Sequence, residues 1–599
     1  MILFWLHRGV FALSEYRIYI RGQVPRSRSL FLTARLTMLF SKASGTKYFG
    51  LKGKTLQRAI GGIAGLGFFL FGYDQGVMGG LLNLKTFREQ FETINTVDDT
   101  SLHTATIQGT AIAVYELGCM VGALSTIYLG DKLGRRKVIY FGTWIIIIGA
   151  IIQTASYHLG QLIVGRVVAG IGNGLITATV PMWQSECARP EDRGLMVMIE
   201  GCLISGGIAL SYWLDFAFFF VKVGSMDWRF PVAFQILIAL IIVAFVLEFP
   251  ESPRWLVKVG REEDAREVWA ALENCGPNDD YINYEIHEVK KNLAAEEQMT
   301  SWQTFKLIFT YGERKHFHRA CLAFWNQAMQ QLTGINLITY YAAKIYQDSL
   351  HMDDVVSRAL AAANGTEYFM ASFIPFWSIE RFGRRKLMLF GAVGQACTMG
   401  ILTGTAWAAD PNNKDNRAAG IAACVFLFVF NSFFAIGWLG MTWLYPAEIT
   451  SLEVRAPVSG ISTASNWLFN FTVVMICPVG FNSIQSYTYT IFAAINACMV
   501  PVIYFLYPET AGRSLEEIDE IFKESNPKTP WDVVGIAARM PKRDHYNYDI
   551  ESRGNSMGEQ YPEGEPKPEH EEVPEGYTSE TAGENSNSSV EYPDTTTHQ

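Results

Sequence analysis

The run Gln330-Gln331-Leu332-Thr333-Gly334-Ile335-Asn336-Leu337-Ile338-Thr339-Tyr340-Tyr341 places amides, hydroxyls and phenols inside a segment otherwise suited to lipid. On an ideal helix, at about 100° per residue, Gln330, Gly334 and Tyr341 share one stripe, and Thr333, Asn336 and Tyr340 the stripe beside it. Gly334 lets the backbone loosen between them. Uncharged groups that both donate and accept hydrogen bonds suit a neutral polyhydroxyl ligand, and in hydrocarbon each is costly if left unpaired. For any single residue two readings stay open: contact with such a ligand, or hydrogen bonding between neighbouring helices. The clustering favours a site.

The elements that hold this run must cross a bilayer. The 599 residues are 49% hydrophobic and only 18% charged, and long apolar runs alternate with short basic loops. A spanning helix needs roughly 20 apolar residues, and many runs reach that, which excludes a soluble enzyme. The nine cysteines follow no ligand or disulfide spacing and read as small apolar packing residues. The net charge of −9 comes largely from an acidic C-terminal tail and carries no implication of nucleic-acid binding.

Hydropathy predicts an all-α membrane protein with twelve transmembrane helices, near 59–82, 104–129, 138–156, 161–183, 195–219, 230–249, 320–346, 357–379, 387–408, 419–443, 457–479 and 487–507. The domains expected are a basic N-terminal arm at 1–55, which an over-extended reading frame starting before Met38 would also explain, a six-helix half at 56–249, a central loop with short helices at 250–319, a second six-helix half at 320–507, and an acidic, largely disordered tail at 508–599. The basic loops share one face, which the positive-inside rule makes cytoplasmic together with both termini. The tail reads either as a platform for regulatory kinases or ubiquitin ligases, or as a solvated appendage. Asn364-Gly365-Thr366 is a doubtful glycosylation sequon because it falls at a span.

An internal repeat divides the chain. Asp131-Lys132-Leu133-Gly134-Arg135-Arg136-Lys137 returns as Glu380-Arg381-Phe382-Gly383-Arg384-Arg385-Lys386, an offset of 249 residues between Gly134 and Gly383. Glu186 precedes Arg193 by seven residues after the fourth span, and Glu448 precedes Arg455 by seven after the tenth. The chain is thus a tandem duplication of pseudo-symmetric halves. Acids and arginines at matching span ends can pair across the mouth as it closes, a latch for alternating access. Topology alone would account for the arginines but not for the acids.

These residues resemble the sugar porters of the major facilitator superfamily over approximately residues 56–523. The likeness rests on Gly72-Tyr73-Asp74-Gln75-Gly76, the two Gly-Arg-Arg-Lys loops, Gly165-Arg166, Pro181 with Ser185-Glu186, Pro250-Glu251-Ser252-Pro253-Arg254, the seventh-span run and Pro508-Glu509-Thr510. It implies two six-helix halves around a central sugar site, with Gln330, Gln331 and Asn336 as seventh-helix ligands and Trp443 as a stacking indole. In the eleventh span, Asn466, Trp467 and Asn470 match polar and aromatic site positions, and Tyr340 joins the substrate-binding set. Two positions depart from the pattern: Gly201, preceded by Glu200, stands where most members have a fifth-span glutamine, and Tyr368 where many have an eighth-span asparagine. The chain looks more like the fungal branch that includes glycerol-proton symporters, which widens the substrate to sugar or polyol.

Asp74, a charge within the first span, calls for a partner, and Arg166 is the one expected. In proton-coupled family members the matching pair carries and modulates the proton; a static salt bridge is the alternative. Glu116 could tune the same pair, Glu200 is expected to reach the interface, and Glu367 the outer half of its helix. Gly170-Ile171-Gly172-Asn173-Gly174 mimics a nucleotide loop, but an apolar helix surrounds it and close helix packing explains it better. Neither a Walker lysine motif nor a metal-spaced His/Cys set is present. The expectation is secondary transport without a cofactor, with the proton as coupling ion and a neutral sugar or polyol and the lipid bilayer as partners. Facilitated diffusion of a hexose or pentose and a non-transporting nutrient sensor are the alternatives.

Overall fold

The computed structural model describes residues 47–541, apart from 97–98, 100, 189–192, 297–300, 311, 350–351, 411–412, 415, 452–453, 514 and 527. The N-terminal arm to residue 46, the tail beyond 541 and the side chains of Asp131 and Arg193 lie outside the described residues. The first half comprises spans at Gly53–Leu81, Leu102–Leu133, Arg135–Thr154, Leu159–Cys187, Arg193–Phe219 and Met226–Phe245. In the second half the seventh span is split into His316–Leu332 and Ile335–Lys344, and the eighth into Asp354–Ala371 and Pro375–Phe382. The ninth is Arg384–Ala409, the tenth Arg417–Phe434 continued by Met441–Ile449, the eleventh Arg455–Ile484 and the twelfth Thr488–Leu506.

Among the described residues, the stretches long and apolar enough to cross a membrane cover every span except the seventh and eighth. The seventh fails because it is interrupted, not because it is short. Gly334 sits at φ +92°, in the left-handed region, so the single continuous helix expected there ends at Leu332 and restarts at Ile335. The eighth breaks just before Pro375, which lacks an N–H and cannot continue the ladder.

Small residues set how closely the helices approach. A Cβ on Gly170 or Gly174 would come within 2.2 Å of the Tyr115 carbonyl or 2.0 Å of the Cys119 carbonyl, and one on Gly172 within 2.4 Å of the Gly142 carbonyl. The glycine run therefore lets the fourth span touch the second and third at once, the packing role expected of it. Between the halves, the first span meets the seventh, the second the eleventh, and the fifth the eighth.

The duplication is visible in the backbone. Gly134 and Gly383 share φ/ψ of +81°/174° and +86°/169°, each turning one span into the next. A glutamate caps each following helix: Glu251 accepts from the Arg135 N–H at 3.0 Å, and Glu509 from the Arg384 N–H at 2.8 Å. A carboxylate is favoured there because the first-turn N–H groups have no partner inside the helix.

Four short helices follow the sixth span: Pro253–Lys258, Glu262–Glu273, Asp280–Glu296 and Ser301–Ile308. A hydrogen bond from Lys290 to Glu262 joins two of them, and together with one from Arg266 within the same helix it holds the Glu262 carboxyl below the usual carboxylate range. After the twelfth span, Leu515–Glu524 docks on the seventh through an Arg319–Asp519 ion pair and the Arg319 guanidinium 4.4 Å over the Phe522 ring.

Candidate functional site

The break at Gly334 turns the seventh span's amides toward one another and toward the opposite half. Asn336 donates to Gln331 Oε1 and, at 2.7 Å, to Asn470 Oδ1 of the eleventh span; its own Oδ1 accepts from Gln75 Nε2 of the first span at 2.6 Å. Gln331 donates to Gln330 Oε1 at 3.2 Å. Asn466 donates to Gln330 Oε1 at 2.8 Å and to Gln327 Oε1 at 2.6 Å. All of these side chains are buried, so a chain of amides crosses the middle of the bundle from one half to the other. Each can exchange an amide partner for a ligand hydroxyl at little net cost, because both states satisfy the same donors and acceptors.

Aromatic rings border this chain. Phe68 packs edge-on against Trp443 with ring centroids 5.4 Å apart, and Phe71 against Trp467 at 5.1 Å. Rings from the first span thus face the tryptophans of the tenth and eleventh. An indole face supplies apolar area for the C–H side of a polyhydroxyl ring.

Of the residues expected to bind substrate, the structure brings together Gln330, Gln331, Asn336 and Asn466, with Trp443 at the edge. The Tyr340 hydroxyl goes instead to Glu116 Oε1 of the second span, at 2.5 Å. Gln75 and Gln327 complete the chain, although the seventh-span stripes do not point to either. The signal for Gln327 was its place one helical turn before Gln330 and Gln331; Gln75 adjoins Asp74 in the first-span motif.

The expected Asp74–Arg166 ion pair is not formed. Arg166 donates to the Ile112 carbonyl at 3.1 and 3.2 Å and lies 4.8 Å over the Tyr115 ring, so its guanidinium is taken up by the second span. Asp74 is buried with neither carboxyl oxygen hydrogen-bonded among the described residues, while Arg166 remains within electrostatic reach. Glu200, expected at the interface, is fully buried, because the fifth span packs along the first, with Met196 and Leu203 against Gly61 and Gly65. Glu367 bonds to Ser432.

The charged residues at the basic face pair within each half rather than across the mouth. Arg135 holds Glu186 bidentately at 2.9 Å, and Arg384 holds Glu448 at 2.8 Å and Glu380 at 3.1 Å. Each arginine joins adjacent spans of its own half, because the turn glycine aims it at the end of the neighbouring helix rather than across the mouth. Arg455 donates to the Thr450 carbonyl at 3.2 Å, not to Glu448. Arg136 lies 3.6 Å from Glu251, and Arg385 donates to the Tyr504 carbonyl at 2.6 Å. The halves meet at this face where Gly194 of the fifth span approaches Glu380. At the opposite face, Asn83 donates to Gln347 at 2.6 Å, Arg358 to the Gly80 carbonyl at 2.7 Å, and Lys344 to Thr96 at 2.6 Å. With the halves in contact at both faces and the amide chain buried between them, the arrangement is an occluded one.

The departures also have a structural setting. A Cβ on Gly201 would stand 3.2 Å from Leu439, so the small residue lets the fifth span close on the tenth. Tyr368 is buried against Phe434 with centroids 6.0 Å apart. Asn364 accepts from Asn431 at 2.8 Å and is buried, which removes it as a glycosylation acceptor.

An all-helical bundle of two repeated six-helix halves, meeting over a buried polar midplane, defines a secondary transporter with the major facilitator fold. The family described as Sugar (and other) transporter matches residues 62–522. The chain belongs to this family of sugar porters. It is 39% identical over 555 residues to the Sugar transporter STL1 of Saccharomyces cerevisiae, covering 91% of this chain and 95% of that protein. It is 29% identical to the Low-affinity glucose transporter HXT1 of the same yeast, covering 81% and 84%. The proton:xylose symporter XylE of E. coli, bound to 6-bromo-6-deoxy-D-glucose, has a TM-score of 0.67 at 22% identity, covering 78% of this chain and 100% of that one. At that identity the likeness carries the fold alone. The protein is a multi-pass membrane transporter rather than an enzyme.

Proposed function

We propose that the protein carries a neutral sugar or polyol across the plasma membrane by alternating access, driven by proton symport. The observation that carries this reading is the buried amide chain from Gln75 through Asn336 to Asn466, which joins the two halves without a single formal charge. Such a chain bonds hydroxyls of a neutral solute and discriminates against ions, whose desolvation it does not repay. Relatives named as sugar and glucose transporters support the substrate class. Asp74, buried one residue from Gln75, supports proton coupling: a carboxyl at that depth is far cheaper neutral than charged, so its protonation biases which form of the bundle is stable. No cofactor beyond the proton enters this reading.

The basic loops support a cytoplasmic side for that face, both termini and the central helices by the positive-inside rule. Regulatory kinases or ubiquitin ligases would then act on the acidic tail. The test is uptake of radiolabelled glycerol, glucose, xylose and a disaccharide by transporter-null yeast expressing the full chain, with and without a protonophore. Accumulation that collapses with the protonophore, with external alkalinisation on adding substrate, is expected. Protonophore-insensitive equilibration would make the protein a facilitator, and binding without uptake would make it a sensor.

A further inference from the structure

One buried acid has no part in the site described so far. Glu116 of the second span is fully buried; its Oε1 accepts the Tyr340 hydroxyl at 2.5 Å, and its Oε2 has no hydrogen-bond partner among the described residues. This bond crosses from the first half to the second. Tyr340 stands one helical turn beyond Asn336 on the short helix Ile335–Lys344, and its carbonyl lies so close to the first span that a Cβ on Gly79 would come within 2.9 Å of it. On its other side Glu116 is within electrostatic reach of Arg166 and Asp74. The groups around it are therefore Asp74 from the first span, Tyr115 and Cys119 from its own, Arg166 from the fourth and Tyr340 from the seventh.

Charge balance in this cluster is uneven. A single guanidinium faces two carboxyls at a depth where net charge is strongly disfavoured. The neutral count is one cation, one carboxylate and one carboxylic acid, so the two acids together hold one proton. Like charges at close range titrate as a pair rather than singly. An ionised Glu116 accepts a charge-assisted bond from Tyr340; a protonated one accepts only a neutral bond, which is weaker.

We propose, resting on the symport reading above, that Glu116 shares the transported proton with Asp74 and that its bond to Tyr340 conveys the proton's position to the helix carrying Asn336. The proton passes from one carboxyl oxygen to another, one O–H bond breaking as another forms, with no redox change. With the proton on Asp74, the Glu116 carboxylate holds the short seventh-span helix against the first half. With the proton on Glu116, that hold weakens and the helix is free to move with the substrate. Glu116 acts through Tyr340 and is a positioning residue.

The test uses the full chain in transporter-null yeast, with surface amount measured by a fluorescent fusion and radiolabelled glycerol, glucose and xylose as probes. Glu116→Gln keeps the size and an acceptor oxygen but cannot titrate; Tyr340→Phe keeps the ring and loses the bond. Expected for Glu116→Gln is accumulation lower by about tenfold or more, the scale of a lost charge-assisted bond, with a flattened pH profile, counterflow retained and KM little changed. Tyr340→Phe is expected to lower accumulation while keeping a pH-dependent rate, because both acids remain. A wild-type pH profile and accumulation in Glu116→Gln would overturn the proposal and leave symport standing. Absence of protonophore-sensitive accumulation in the wild type would overturn symport and the proposal with it. If Glu116→Gln fails to reach the surface, Tyr340→Phe decides: unchanged accumulation overturns the proposal, and reduced accumulation with counterflow intact supports it.

Discussion

Replacing Asn336 with alanine removes the junction of the amide chain while leaving the helix backbone able to form. Three contacts go at once: the donations to Gln331 and to Asn470 at 2.7 Å, and the acceptance from Gln75 at 2.6 Å. Hydrogen bonds between helices in membranes average about 0.6 kcal/mol and reach about 1.7, so the occluded arrangement loses roughly 2 to 5 kcal/mol. A substrate hydroxyl that Asn336 would have bonded loses about 1 to 3 kcal/mol, a rise in KM of about five- to 150-fold. The assay is the concentration dependence of initial uptake at equal surface expression, paired with counterflow to separate binding from the return step. The expected result is a raised KM with face exchange that is unimpaired or faster, because the closed form is the one weakened. A KM within about twofold of wild type, less than half a kcal/mol, would refute the placement of Asn336 in the substrate site.

Asp74→Asn should abolish uphill accumulation and leave counterflow, since a neutral amide mimics the protonated carboxyl; loss of both would count against a purely coupling role. Gly201→Gln restores the amide that the family pattern carries but puts its Cβ tight against Leu439, so transport should slow through impaired closure without a gain in hexose affinity, read as Vmax against KM. Glu251→Ala and Glu509→Ala should each lower thermal stability in detergent by about 1 to 2 kcal/mol, as for a lost helix cap, measured by fluorescence-detected gel filtration after heating. A loss at one site and none at the other would contradict their structural equivalence.

The spans, the duplication and the basic loops were legible in the sequence because each is a local signal: apolar length, a repeated heptapeptide and clustered arginines. Gly334 was legible as a point of loosening, and Tyr340 does lie one turn beyond Asn336 on the same short helix, but its hydroxyl goes to Glu116 of the second span, a partner that no spacing along the seventh span reveals. Arg166 shows a second limit. Its proximity to Asp74 follows from which spans pack together, but whether the guanidinium meets a carboxylate, a carbonyl or a ring depends on register and rotamer, and the Ile112 carbonyl has no side-chain signature. The same holds for Arg135 and Arg384: the sequence names the acids and arginines at the span ends but not which of them meet. The turn at Gly383 delivers Arg384 to Glu448, a meeting that depends on how the ninth and tenth spans pack rather than on spacing within either. The caps at Glu251 and Glu509 were present in the Pro-Glu-Ser and Pro-Glu-Thr motifs, but their role appears only when the end of the sixth or twelfth span comes beside the start of the third or ninth.

The rims and the middle of the bundle are built on different plans. At the rim each half uses the same parts: a left-handed glycine, an arginine clamped on the neighbouring span's glutamate, and a second glutamate capping the helix. Identical hinges at pseudo-symmetric positions let the halves rock without either being distinguished. The midplane has no such symmetry. Most of its amides come from the seventh and eleventh spans, while its carboxyls, Asp74 and Glu116, and the single buried arginine beside them come from the first, second and fourth. On the symport reading, substrate is held mainly by one half and the proton by the other, so neither ligand alone touches all that must move. Coupling can then pass through contacts that join the halves, Gln75 to Asn336 and Glu116 to Tyr340, and both land on the ten-residue helix Ile335–Lys344. Gly334 frees that helix from the rest of its span, which makes it the element able to respond to either ligand and to transmit each to the other.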